Sequence, residues 1–280
     1  MDRVVHAALS DSSDRTPASF KIERSETGHL ARILGLTARS AFQPIVQVDG
    51  RGVVGHEAFL RVDTPPGMEI PPPVVFAVAA SEGKVVSLDR VCRALHLLNY
   101  MALGPDDGFL FLNVDARHVA NVHGHGRVFE RLLKHQSFPP SRVVLEIQQG
   151  GAGDEVHLAE AVENYRKRGF AIAIGDFGKG HSNLDRLWRL EPDFVKLSGD
   201  FLVQAMARPR VRDSVAAMVE GLHRLRCKVV AEKVETEEAA RTARDLGVDY
   251  LQGHHLGVPG PRPGIRPSPL FSKSLETSHV

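Results

Sequence analysis

From about His29 to Leu251 the chain alternates short apolar runs with longer amphipathic segments. HLARILGL, residues 29–36, has a helical spacing and predicts a helix leading into a strand over Ala41–Val48. Asp49-Gly50 is a tight-turn dipeptide between two strand-like runs, so Ala41–Val48 and Gly52–Val62 are expected to pair as a hairpin. Thr64–Pro73 carries five prolines and predicts a loop. Helix and strand patterns then alternate. Helices are expected at Ser87–Leu103, Arg127–His135, Glu155–Arg168, Ser182–Leu190, Val211–Leu225 and Glu237–Leu246. The strands that follow them are Gly108–Val114, Arg142–Ile147, Phe170–Gly175, Asp193–Leu197, Lys228–Glu232 and a last one at Tyr250. This order predicts an α/β protein with a parallel sheet, and the count suits a single (β/α) barrel.

Composition narrows the class. The 280 residues hold 35 Lys+Arg against 34 Asp+Glu, a balance that speaks against a nucleic-acid polymer or a membrane surface as partner. No apolar run approaches the ~18 residues of a membrane span, and the N-terminal apolar stretch is too short for a secretory signal. Cys92 and Cys227 lie far apart in apolar contexts and read as reduced core thiols of a cytoplasmic protein. Residues 1–27 are polar and predict a flexible arm. Residues 28–260 form the expected barrel domain, and 261–280 are rich in Pro, Gly and Ser and predict a disordered tail.

Polar residues recur at the expected strand ends: Asn113, Glu146, Asp176, Lys196, Glu232 and Gln252, with Glu57 inside the second strand of the hairpin. Any one of them could be a structural ion pair. Together, in a barrel, they converge on the C-terminal mouth, where barrel enzymes act. Carboxylates with an Asn are hard oxygen ligands suited to Mg²⁺ or Mn²⁺, and two such ions about 3.5–4 Å apart clamp a phosphodiester. In AIAIGDFGKG, residues 171–180, a buried strand runs into a loop that begins at Asp176 and is loosened by Gly178 and Gly180.

That segment resembles the Asp-Asp-Phe-Gly-Thr-Gly signature of the EAL-domain cyclic di-GMP phosphodiesterases. Further motifs follow the same family in order from about Ala41 to Pro259. They are Phe42-Gln43-Pro44-Ile45, Gly55-His56-Glu57-Ala58-Phe59-Leu60-Arg61, Phe111-Leu112-Asn113, Leu145-Glu146-Ile147, Val195-Lys196-Leu197, Ala231-Glu232-Lys233-Val234-Glu235-Thr236 and Gln252-Gly253. The resemblance implies a modified TIM (β/α)8 barrel of EAL type with the first strand antiparallel. It implies Glu57, Asn113, Glu146, Asp176 and Glu235 as metal ligands. Cyclic di-GMP would contact Gln43, Arg61, Asp176, Glu232, Glu235 and Gln252, and Lys196 and Glu232 would orient water if the chain is active. The setting it implies is bacterial second-messenger signalling, with no organic cofactor and no membrane.

Several positions depart from the family pattern. Gly175 stands in place of the first Asp of the pair, Lys179 in place of Thr, and Gln149 in place of a loop-bracing Glu. Ser198 replaces a usual Asp, Val258 a basic residue, and Phe59 a Leu. Gly175 offers no ligand, so the expected Mg²⁺ or Mn²⁺ site is weakened or lost. The expectation is a divergent, degenerate, stand-alone member that acts as a regulator through cyclic di-GMP or a protein partner. An active phosphodiesterase giving linear pGpG is the alternative, and a pure protein-interaction module is the third reading. Of the vicinal His254-His255, at most one is expected to face the mouth. Trp188 reads as core or interface, and a homodimer is expected by analogy alone.

Overall fold

The computed structural model describes residues 20–104, 108–114, 126–148, 155–179, 184–262 and 264. Eleven strands form one sheet: β1 Lys21–Ser25, β2 Gly28–Ile33, β3 Leu36–Gln47, β4 Val53–Asp63, β5 Glu69–Ile70, β6 Phe109–Val114, β7 Val143–Gln148, β8 Ala171–Phe177, β9 Phe194–Leu197, β10 Lys228–Ala231 and β11 Tyr250–Leu251. Eight of them, β3, β4 and β6 to β11, close into a barrel, because β3 pairs with β4 on one side and β11 on the other. β3 runs antiparallel to both neighbours, and the remaining barrel pairs are parallel. This is the modified TIM barrel with an antiparallel first strand.

The helices among the described residues are α1 Pro72–Ser81, α2 Val85–Ala102, α3 Arg127–His135, α4 Glu155–Lys167, α5 Leu184–Leu190, α6 Gly199–Ala207, α7 Pro209–Arg224 and α8 Glu237–Asp245. None of the described helices is long and apolar enough to cross a membrane. Strand alternation sorts the apolar residues into two cores. One face of each strand packs outward against the helices, as Leu110, Leu112, Ile172 and Ile174 do. The other face fills the barrel with Ile45, Phe111, Val144, Ala173, Phe194 and Val230. Phe194 is the hub of that inner layer, edge-on to Phe109 at 5.5 Å and to Phe111 at 5.2 Å. Cys92 and Cys227 are both buried free thiols.

The N-terminal region differs from the sequence expectation. Residues 29–36 are not a helix: they form β2 and the first residue of β3. Leu34 and Gly35 both have positive φ, 51° and 77°, the backbone of a tight two-residue hairpin turn. Ala31 and Ile33 alternate inward and are fully buried, so a period of two wins over the helical spacing. Asn99 on α2 secures the hairpin, accepting from His29 N at 2.7 Å and donating to His29 O at 3.0 Å. Of the arm expected over 1–27, Lys21–Ser25 is strand β1, and residues 1–19 lie outside the described residues. Much of the tail expected after 260 lies outside them too. Two helices went unread. α1 begins with prolines at its first turn, where a missing N–H costs nothing. α6 is capped by Ser198 Oγ, which accepts from Asp200 N at 3.3 Å.

Truncating the inner hub tests this architecture. Phe194→Ala should lower unfolding stability by about 3–5 kcal/mol, the usual cost of emptying an aromatic core site. Urea denaturation would show it as a lower midpoint at unchanged slope.

Candidate functional site

The mouth is built by stepping two residues along each strand from the inner core. Phe111 leads to Asn113, Val144 to Glu146, Ala173 to Gly175, Phe194 to Lys196 and Val230 to Glu232. Gly55 leads to Glu57 on β4, Tyr250 to Gln252 after β11, and on antiparallel β3 Ile45 leads back to Gln43, opposite Glu57. The result is a layer of eight positions, seven of them polar and the eighth Gly175. A cavity of about 410 Å³ opens above it.

Lys196 lies at the centre of this layer. Its side chain is 0 % exposed, and Nζ lies 2.7 Å from Glu57 Oε2, 2.8 Å from Glu146 Oε2 and 2.8 Å from Glu232 Oε1. Glu57 Oε1 accepts from Asn113 Nδ2 at 2.7 Å, and Glu57 Oε2 also accepts from Gln252 Nε2 at 2.8 Å. Gln148 Nε2 donates to Glu146 Oε1 at 2.8 Å and also to Asn113 Oδ1. Glu57, Asn113, Gln148, Glu146 and Lys196 thus form a closed ring of hydrogen bonds.

The charges are set by this crowding. Burial works against charge on Lys196, yet Glu146, Glu57 and Glu232 outweigh it and hold the ammonium well above its ordinary range. Burial likewise opposes charge on Glu57, but Lys196, with hydrogen bonds from Lys196, Asn113 and Gln252, holds that carboxyl below its usual value. Glu146 goes the other way. Burial first, then the charge of Glu57, push it up to about 8 against the pull of Lys196. Glu232 is raised too, by burial and by Glu57 and Asp176. Three carboxylates around one ammonium leave excess negative charge.

Asp176 reaches the cavity through a bulge. Between Ile174 and Phe177 the pairing with β9 shifts, and Gly175 and Asp176 together oppose Lys196. Asp176 takes a left-handed φ of 50°, which Asp tolerates better than most residues. Strict alternation after Gly175 would have turned it away from the cavity it now lines. Gly178 is required next, since a Cβ there would fall 1.7 Å from Phe201 Cε2.

The remaining expected residues fall at varied distances from this centre. Gln43 is buried in the layer, donating to Gly257 O at 3.0 Å and accepting from Gln252 at 3.1 Å. Glu235 lines the rim and pairs with His254 at 3.5 Å, outside the carboxylate cluster. His255 instead pairs with Glu237 at 3.0 Å, so of the two histidines only His254 lines the cavity. Arg61 lies beside an adjoining cavity of about 380 Å³ that shares Phe59 and Asn113 with the first, its guanidinium 5.7 Å over the Phe59 ring. Lys179 is exposed, 3.9 Å from Asp176. Ser198 serves as a helix cap, and Trp188 is 62 % exposed and so not core. Gln149 lies outside the described residues. Its neighbour Gln148 went unnoticed as a site residue, although Val144, Glu146 and Gln148 share one strand face.

One carboxylate oxygen from each of Glu57, Glu146 and Glu232 lies within 4.8 Å of the others. This hard-oxygen set fits one Mg²⁺ or Mn²⁺ ion, which would take over the counter-charge role of the Lys196 ammonium. A second ion on the β8 side would find no ligand at Gly175.

Fold and site together define a barrel with an acidic, cation-compatible mouth. Residues 36–259 match the EAL domain family, and the chain belongs to it. It is 31 % identical over 232 residues to the probable cyclic di-GMP phosphodiesterase PdeN of Escherichia coli, covering 79 % of this chain and 43 % of that protein. It is 31 % identical over 226 residues to the bifunctional diguanylate cyclase/cyclic di-GMP phosphodiesterase MucR of Pseudomonas aeruginosa, covering 79 % and 33 %. The chain thus spans less than half the length of these relatives. The MucR phosphodiesterase in complex with c-di-GMP superposes with a TM-score of 0.67 at 29 % identity, over 80 % of this chain and 92 % of that one. A standalone EAL protein from Vibrio cholerae shares the fold, with a TM-score of 0.71 at 24 % identity, over 84 % and 97 %.

The raised carboxyl of Glu146 predicts a pH signature. The folded protein holds a proton there that the unfolded chain releases, so metal-free stability should fall as pH rises from 4.5 towards about 8. Buried His56 and His96, both lowered to about 4, act oppositely only below their ordinary 6.5. Melting scans above pH 6.5 therefore exclude the histidines and leave the raised carboxyls of Glu146 and Glu232. The melting temperature should drop across that range, and Glu146→Gln should flatten the drop. A flat wild-type profile would contradict the assignment.

Proposed function

We propose that this chain is a degenerate EAL domain that binds cyclic di-GMP as a regulator, with weak or no phosphodiesterase activity. The observation that carries this reading is Gly175, the one position of the mouth layer without a side chain. A Cβ there would stand 2.3 Å from Glu146 Oε1, so Glu146 already uses the space that a second acid would need. The names of PdeN and MucR, and the bound nucleotide in the MucR structure, support the ligand.

In this reading the nucleotide lies across the mouth against Gln43, Arg61, Asp176, Glu232, Glu235 and Gln252. Arg61 meets a phosphate, and its planar fork suits two oxygens at once. Gln252 Oε1, buried with no partner, accepts from a donor group of the ligand. Any Mg²⁺ or Mn²⁺ held by Glu57, Glu146 and Glu232, with Asn113 and Asp176 beside them, would be bound weakly. When bound it would polarise the phosphodiester and acidify water. Signal output then passes to a protein partner or a second copy of the chain.

The second reading, an active phosphodiesterase giving linear pGpG, is favoured by the intact grouping of Lys196 with three glutamates. Lys196 would hold its proton and orient water. Glu232, the most exposed of the three, would take the proton that water loses. The test is purified protein with excess Mg²⁺ or Mn²⁺ and sub-stoichiometric cyclic di-GMP, with binding and product followed together. We expect binding without linear pGpG over hours. Repeated turnover would establish the second reading, and neither binding nor product would leave a protein-interaction module.

A further inference from the structure

We propose that Gln148 is a built-in competitor of the cation, an amide clamp that sets how weakly the mouth holds a divalent ion. Every oxygen of Glu57 and Glu146 already accepts a hydrogen bond. Most of the donors are unsurprising in a site of this kind: Lys196 is the buried counter-charge, and Asn113 and Gln252 belong to the polar layer. Gln148 is the additional one. Its Nε2 bridges Asn113 Oδ1 and Glu146 Oε1, two oxygens suited to a hard cation.

The clamp depends on Gly175. A Cβ at position 175 would meet Glu146 Oε1 at 2.3 Å and Gln148 Nε2 at 3.1 Å. The hydrogen bond between those two atoms therefore lies in the space that a side chain on β8 would occupy, and β7 and β8 hold Gln148 directly beside Gly175 in register. Two features of the sequence act together: Gly175 opens the space and Gln148 closes it with N–H donors. A cation that draws on Glu146 Oε1 or Asn113 Oδ1 must break the bond that Gln148 gives that oxygen, and must do so against a donor with partial positive charge. Gln148 is thus a positioning residue that stabilises the metal-free mouth.

The inference rests on reading the mouth as a weakened cation site and not on nucleotide binding, so Mn²⁺ alone is the probe. Free Mn²⁺ would be followed by electron paramagnetic resonance during titration of the wild type, Gln148→Ala and Gln148→Met. The methionine variant keeps the side-chain volume and loses both donors, so a folded variant is available if alanine loosens the strand end. Circular dichroism would confirm the fold of each. Both folded variants should bind Mn²⁺ more tightly, by at least about threefold and on the order of tenfold, the worth of a buried hydrogen bond no longer to be broken. Their metal-free melting temperature should fall, and Mn²⁺ should raise it by more than in the wild type. A purely structural role would lower stability without tightening Mn²⁺. Affinity that is weaker, unmeasurable at millimolar Mn²⁺, or within about threefold of wild type in a folded variant would overturn the proposal.

Discussion

A fully buried ammonium is the constraint on which this molecule turns. Lys196 has no exposed surface, and removing a charge from water is affordable only where counter-charges surround it. Those counter-charges come from three separate strands: Glu57 on β4, Glu146 on β7 and Glu232 just beyond β10. A closed barrel is what brings these strands around one point. The antiparallel β3 completes the circle, and its register with β4 places Gln43 opposite Glu57. The phenylalanine layer beneath, centred on Phe194, is the floor that keeps water from reaching Lys196 from below.

The same constraint shapes the function. One ammonium cannot balance three carboxylates, and burial first, with that surplus second, raises the carboxyls of Glu146 and Glu232. The site can relieve it with a proton, a cation or hydrogen-bond donors. This chain supplies donors on a generous scale, from Asn113, Gln148 and Gln252. Each donor satisfied without an ion makes the ion less necessary. The empty position at Gly175 and the filled one at Gln148 both support the proposed reading of a weakened cation site.

Much of this was legible in the chain because period-two alternation places residues by simple counting. Phe111 to Asn113 and Phe194 to Lys196 are two-residue steps, and counting alone places Asn113 and Lys196 in the mouth layer. Asp176 was found through its motif, although the bulge and the left-handed φ that aim it at the cavity leave no mark in the local pattern. Glu232 and Glu235 looked alike in sequence as members of one motif. Only the folded turn, with Lys233 at a φ of 53°, sends Glu232 to Lys196 and leaves Glu235 at the rim with His254. Gln148 was readable by the same counting that found Glu146 and was passed over for its neighbour Gln149. The first hairpin was misread because HLARILGL satisfies a helical period as well as a strand period, and the decisive contact, Asn99 with His29, is distant in sequence.

The most direct measurement is anomalous scattering from crystals soaked in Mn²⁺. The account predicts at most one Mn²⁺ peak, among Glu57, Glu146 and Glu232, with Lys196 moved aside when it is present. Two peaks about 3.5–4 Å apart, the spacing of a catalytic metal pair, would contradict it.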